Sequence, residues 1–208
     1  IDYNDYFVNP TGSGNKFIGQ IAAAGSATLA AWRTATAQDV NSINILPNFV
    51  SATDLHLLVN NCGLDGYGTP ITGITNDYDA QPRDAGAPDM GADEFTATYG
   101  TTLAGVIGSA VCDNKNVSPA GTTFATSVCD VIARILPAGG SPVADKVNVC
   151  VTIDATVQFF NAEPYLQRHF DIEPAINAAT ATARVTLYAL QTEFDAYNVA
   201  NTAFPDLP

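Results

Sequence analysis

The sequence predicts an all-β protein in two parts: short strands with one capping helix, followed by an antiparallel β-sandwich. Three observations carry this. Ala, Thr, Val, Asn, Asp and Gly dominate while Lys and Glu are scarce, which favours strands and turns over long surface helices. Val147, Val149, Val151 and Ile153 alternate with Asn148, Cys150, Thr152 and Asp154, the period of two of a half-buried strand. The spacing of the apolar pieces changes after Phe95, and regular alternation sets in only beyond residue 110. The expected division is residues 1–95, a linker over 96–109, and a sandwich over 110–208, the last of these open to being incomplete.

In chain order, Ile1–Val8 and Lys16–Ile21 read as short strands, with a turn at Gly12-Ser13-Gly14. Ser26 is placed to cap a helix over Ala27–Ala37, on which Leu29, Trp32 and Thr36 share one face. Trp32 is the only tryptophan and is expected as an apolar lid. Residues 43–45, 48–50 and 54–57 are short extended pieces separated by Pro and Asn. In the second part, residues 129–136 form a strand, joined to the alternating strand by Pro137-Ala138-Gly139-Gly140-Ser141-Pro142, which has hairpin chemistry. Residues 156–161, 165–171 and 181–188 add strands, and residues 193–197 make one helical turn.

Two stretches resemble known families. Asp77-Tyr78-Asp79 with Arg83, then Pro88-Asp89-Met90-Gly91-Ala92-Asp93-Glu94-Phe95, resembles the motif that ends many secreted right-handed parallel β-helix proteins. Upstream, Trp32-Arg33, Thr36, Gln38-Asp39, Ser42, Phe49-Val50 and Asp54-Leu55-His56-Leu57 resemble the terminal coils of the same proteins. In the second part, Pro164-Tyr165-Leu166-Gln167-Arg168-His169-Phe170-Asp171-Ile172-Glu173-Pro174 and Glu193-Phe194-Asp195-Ala196-Tyr197-Asn198 are similar to a β-sandwich module of very large cell-surface proteins exported by the type IX secretion route. The resemblance implies the terminal coils of a right-handed parallel β-helix, closed by the helix and the acidic run, and then a sandwich. It also implies that both chain ends continue into a longer polypeptide.

Charge excludes some functions. The 208 residues carry 21 acids against 8 bases, a net charge of −13. Nucleic acid and anionic membrane surfaces are therefore not expected partners, and no apolar run is long enough for membrane insertion. Divalent cations remain compatible with such a charge. No nucleophile elbow, phosphate loop or dinucleotide fingerprint occurs, so no catalytic or cofactor-binding residue is assigned.

The densest acids lie in residues 76–94. Asp77, Asp79, Asp89, Asp93 and Glu94 are candidate Ca²⁺ ligands, although their spacing is not that of an EF-hand. The preferred reading is structural: Arg83, the only base of the run, clasps Asp79 and Glu94 with its planar fork, with Asp89 next. His56 and His169 lie far apart, and neither has a partner at metal-binding spacing. On a strand, His169 shares a face with Asp171 while Arg168 shares the other with Phe170, and His169 is expected to be a hydrogen-bonded structural residue. Four cysteines in a chain with secreted character permit two disulfides. Cys129 sits in the inward phase of its strand and Cys150 in the outward phase. Cys112–Cys129 is therefore the favoured bridge, a loop of about 15 residues worth about 3 kcal/mol in the chain-entropy model.

The expected function is a fragment of a secreted or cell-surface fibrous protein with a structural or adhesive role, and not an enzyme in itself. The alternatives are a polysaccharide-binding or polysaccharide-degrading β-helix enzyme whose catalytic coils lie elsewhere, and a self-assembling extracellular filament subunit. The expected partners are the rest of a longer polypeptide, a polysaccharide, or neighbouring copies of the chain.

Overall fold

The computed structural model describes residues 2–9, 11 and 14–208. The expected strand start at Ile1 and the turn residues Gly12 and Ser13 lie outside the described residues. The chain divides into two compact units, Ile1–Ala97 and Thr98–Pro208. Residues 98–109 of the expected linker belong to the second unit. Leu103 bridges to Val131 and Ile107 to Ile153, and the Ala104 N–H donates to the Val131 carbonyl at 2.8 Å.

The first unit has little regular structure. Strands β1 (Gly19–Ile21) and β2 (Ala24–Ser26) form an antiparallel hairpin. Helix α1 (Leu29–Thr36) follows. Its cap is Thr28, not Ser26, because Ser26 is held in β2; the Thr28 hydroxyl accepts from the Ala31 N–H at 3.1 Å. A left-handed Ala37 ends the helix. Gly19 is required by contact: a Cβ there would lie 2.4 Å from the Trp32 ring. Elsewhere the pairing is reduced to isolated bridges, among them a parallel one between Asp5 and Ile43 and antiparallel ones at Phe49–Leu57 and Asn76–Pro82. No stack of parallel rungs is present among the described residues; the sheets are antiparallel.

Polar groups tie this unit together. Asp39, 2% exposed, receives Asn4 Nδ2 at 3.0 Å, the Tyr6 hydroxyl at 3.2 Å and the Ser42 hydroxyl at 2.7 Å on Oδ1, and Trp32 Nε1 at 2.9 Å on Oδ2. Arg33 Nε donates to the Asp39 carbonyl at 2.7 Å, and its Nη2 donates to the Ser42 carbonyl. Burial opposes ionisation of Asp39, yet these donors hold its carboxyl below the ordinary value. Trp32 is thus more than an apolar lid. It covers Gly19 with its ring and anchors a buried carboxylate with its N–H.

The second unit is sandwich-like. Its strands are β3 (Val111–Asn116), β4 (Thr122–Ala125), β5 (Val131–Pro137), β6 (Lys146–Ile153), β7 (Gln158–Phe160), β8 (Glu163–Tyr165), β9 (Arg168–Pro174) and β10 (Ala183–Leu187). Helix α2 (Gln191–Ala200) follows them. Two antiparallel sheets form, in the orders β10-β5-β4 and β3-β6-β9, with β7 and β8 as a separate hairpin. One apolar core lies under them, built from Phe124, Ala133, Ile135, Val147, Val149 and Val151, each no more than 1% exposed.

The alternation read over Val147–Ile153 is that of β6, whose valines are buried. The expected hairpin from β5 to β6 is not formed. Both strands carry an apolar inward face, so they lie in different sheets instead of edge to edge. Their connection is held by the residue before β10: Val143 N–H donates to the Thr182 carbonyl at 2.9 Å, and Thr182 N–H to the Ser141 carbonyl at 2.8 Å. The single helical turn expected near Glu193 is a ten-residue helix.

The favoured Cys112–Cys129 bridge is incorrect. Cys112 bonds to Cys150, directly opposite it in the β3–β6 register, with the Cα atoms 4.0 Å apart. Cys150 does point outward, as its phase requires, and it meets Cys112 because that residue is also on the outer face of its sheet. Cys62 and Cys129 are disulfide-bonded as well, and no cysteine is free.

Candidate functional site

The acids of residues 76–94 are engaged mainly by their own backbone. Asp77 Oδ1 accepts from the N–H groups of Asp79 and Gln81 at 2.9 and 2.8 Å, and its Oδ2 from Glu94 at 3.0 Å. Asp84 Oδ1 accepts from Gly86 and Ala87, each at 2.8 Å. Asp89 accepts from Gly66 at 2.7 Å and Phe95 at 2.8 Å. Glu94 accepts from Asp84 at 2.8 Å and Asp89 at 3.0 Å. A segment without sheet partners must satisfy its N–H groups some other way, and ionised oxygens are strong acceptors. The backbone N–H groups received by Asp77, along with the nearby Arg83 charge, keep its carboxyl low even against desolvation. Asp89 behaves oppositely. Burial, reinforced by the nearby charges of Asp65 and Glu94, pushes it up to about 8.

Arg83 completes this lock, its side chain 13% exposed. Nη1 lies 3.5 Å from Glu94 Oε2 and donates to the Asp89 carbonyl at 3.0 Å, while Nη2 donates to the Gly91 carbonyl. Glu94 is therefore its ion-pair partner, and Asp89 meets it through backbone. Asp79, expected as a partner, pairs instead with a histidine.

That histidine is His56. Its Nδ1 lies 2.5 Å from Asp54 Oδ1 and its Nε2 lies 2.8 Å from Asp79 Oδ2. Asp93 completes a cluster: one ligand atom each from His56, Asp79 and Asp93 lies within 4.8 Å of the others. Asp93 is steadied by the Leu57 N–H, which donates to Oδ2 at 2.6 Å. The cluster lines a cleft of about 690 Å³ that Tyr3, Tyr6, Phe49 and Tyr78 also border. Hydrogen bonds first to Asp54 and then to Asp79 push His56 up to about 9, and the same pairing lowers Asp54. Asp5 borders the cleft too. Its Oδ1 accepts from the Ile45 N–H at 2.9 Å, its Oδ2 is buried with no hydrogen-bond partner, and burial raises its pKa.

No family model, curated protein or solved structure matches the chain. Among the described residues, no helix is long and apolar enough to cross a membrane.

Of the five candidate Ca²⁺ ligands, the structure brings Asp79 and Asp93 together with His56, while Asp77, Asp89 and Glu94 hold backbone. His169 is half-exposed, with Nδ1 3.6 Å from Asp154 Oδ2. The important charge beside it is Arg168, which sequence reasoning passed over. Arg168 Nε sits 3.1 and 3.0 Å from the two oxygens of Glu193, and Nη1 donates to the Ala104 carbonyl at 2.5 Å. The same carboxylate accepts the Leu190 N–H at 2.9 Å and so starts α2. A second buried cation, Lys115, lies 4.0 Å from Asp113 Oδ2 and 5.7 Å from the centre of the Tyr99 ring. The inward phase of Arg168 on its strand was the available signal for the first. The missed role of His56 had a signal in the Asp54-Leu55-His56 triplet, whose outer members share one side of an extended chain.

Proposed function

We propose that the chain is part of a secreted or cell-surface fibrous protein, in which it has a structural or adhesive role. One observation carries this reading. Asp77, Asp84, Asp89 and Glu94, four of the acids of residues 76–94, each hold two or more backbone N–H groups. They are fastenings. In this reading the first unit is the terminal coil of a right-handed parallel β-helix. Support comes from the parallel bridge at Asp5–Ile43, where Tyr6 N–H donates to Ile43 at 2.9 Å and Ile43 N–H donates to Asn4 at 2.8 Å. The second unit is a β-sandwich module of the kind found in large proteins exported by the type IX route. Its sandwich-like sheets support this, and the absence of free cysteine supports an extracellular place for the whole.

Polysaccharide binding is the second reading, favoured by the aromatic walls and carboxylates of the cleft. Association of copies is a third, favoured by edge strands β9 and β10, on the second of which Val185 and Leu187 are exposed. The test incubates the purified chain with acidic and neutral polysaccharides. No release of reducing ends or unsaturated sugars is expected. Reproducible release would overturn the structural reading, whereas retention on a polysaccharide without release would assign it the adhesive form.

A further inference from the structure

We propose that His56, Asp79 and Asp93 bind a divalent transition cation of the Zn²⁺ type in the cleft of the first unit. An imidazole and two carboxylates suit Zn²⁺, whereas Ca²⁺ takes oxygen ligands and has no use for the nitrogen. Spacing agrees. Two ligands bound at about 2.0–2.1 Å stand roughly 3.3 Å apart at the tetrahedral angle, a small parting from the distance seen here. His56 Nε2 and Asp79 Oδ2 are 2.8 Å apart, and the Asp93 oxygen is within 4.8 Å of both.

Orientation agrees as well. Metal-binding histidines usually donate their second ring N–H to a carboxylate, which fixes the ring and the tautomer. Asp54 Oδ1, 2.5 Å from Nδ1, stands in that place and leaves Nε2 directed at Asp79. Asp93 is likewise fixed by the Leu57 N–H. Independently of the cluster, Asp5 borders the same cleft, and its Oδ2 is buried with no hydrogen-bond partner. A cavity with that group in its wall favours a cation. Three protein ligands beside an open cleft leave coordination positions for water or a further ligand. Asp54 acts here as a positioning residue.

The test is a calorimetric titration of the whole chain with ZnCl₂, paired with NMR of the His56 ring. One Zn²⁺ per chain is expected, with the His56 ring resonances shifting on binding. His56→Ala and Asp79→Asn should each weaken binding by at least about 100-fold, and Asp54→Asn by about 10–100-fold, the range typical of outer-shell partners. His169→Ala, in the other unit, should leave it unchanged. Both His56 and Asp79 are exposed, so these variants keep the fold. Absence of saturable binding, unchanged affinity in His56→Ala, or displacement of Zn²⁺ by excess Ca²⁺ would each overturn the proposal. Unmoved His56 resonances on saturation would do the same.

Discussion

In the second unit, Val147, Val149 and Val151 stand in one fully buried row, and Phe124 and Ile135 close over them. In the first unit, Asp39, Ser42, Asn61 and Asp89 are buried beside Leu64, Met90 and Cys62. One unit is held by apolar packing between sheets, the other by side chains that satisfy a backbone with few sheet partners. Apolar burial is non-directional and tolerant, whereas a hydrogen-bonded carboxylate is specific and pH-dependent. The two units should therefore fail differently.

The sharpest contrast comes from the Arg168–Glu193 ion pair buried within the apolar unit. Arg168→Ala leaves Glu193 charged and uncompensated in the interior, costing about 3–5 kcal/mol. Hydrogen exchange should show β9, α2 and residues 98–108 losing protection together. If only α2 loses protection, the pair caps a helix and does not join three segments.

A smaller loss is expected in the first unit. Arg83→Ala removes two donors to backbone carbonyls and a partly exposed partner of Glu94, about 1–3 kcal/mol. Trp32 is the only tryptophan of the chain and lies in this unit, so its fluorescence reports the first unit selectively. A melting curve by Trp32 identical to that of the unaltered chain would show that the acidic run holds itself without its base.

A third effect is on pH. The native value of Asp89, about 8, is above that of an unfolded Asp, about 3.9. The native state then keeps a proton that the unfolded chain has released, so the contribution of Asp89 is intact below about pH 4 and declines up to about pH 8. Asp65 and Glu94 press in the same direction, while the Phe95 and Gly66 N–H groups press against it. Melting followed by Trp32 should fall between pH 5 and pH 8, and Asp89→Asn should flatten that fall to the part that the raised His56 contributes. A rise over that range would mean that the two backbone donors outweigh burial.

The legible parts of the sequence were those where hydrophobicity and geometry agree. In β6 the apolar residues are the buried ones, so its alternation was plain. Strand β3 reverses that relation: Asp113 and Lys115 are buried while Cys112 and Asn114 face outward. A charged inward face reads as a loop, and with β3 unseen the partner of Cys150 was unseen too. Arg83 and Glu94 were readable because a lone base in an acidic run has few choices. Asp79 went elsewhere because His56, distant in sequence, stands opposite it in the fold. The motif from Trp32 to Ser42 was visible as a pattern, but its centre, the four-donor shell of Asp39, depends on Asn4 and Tyr6 arriving from another segment.

The Cys112–Cys150 bond bears on what happens when the chain is pulled. Tension that passes from Cys112 to Cys150 crosses through sulfur, so β4, β5 and their connections lie inside a covalently closed loop. The bypassed stretch has a sequence separation of 38, or about 130 Å of contour at the 3.3–3.6 Å per residue of an extended chain. In an oxidising medium that length stays stowed even when the sheets part. Cys129, inside that stretch, is itself disulfide-bonded, so releasing the whole length takes reduction of both bonds.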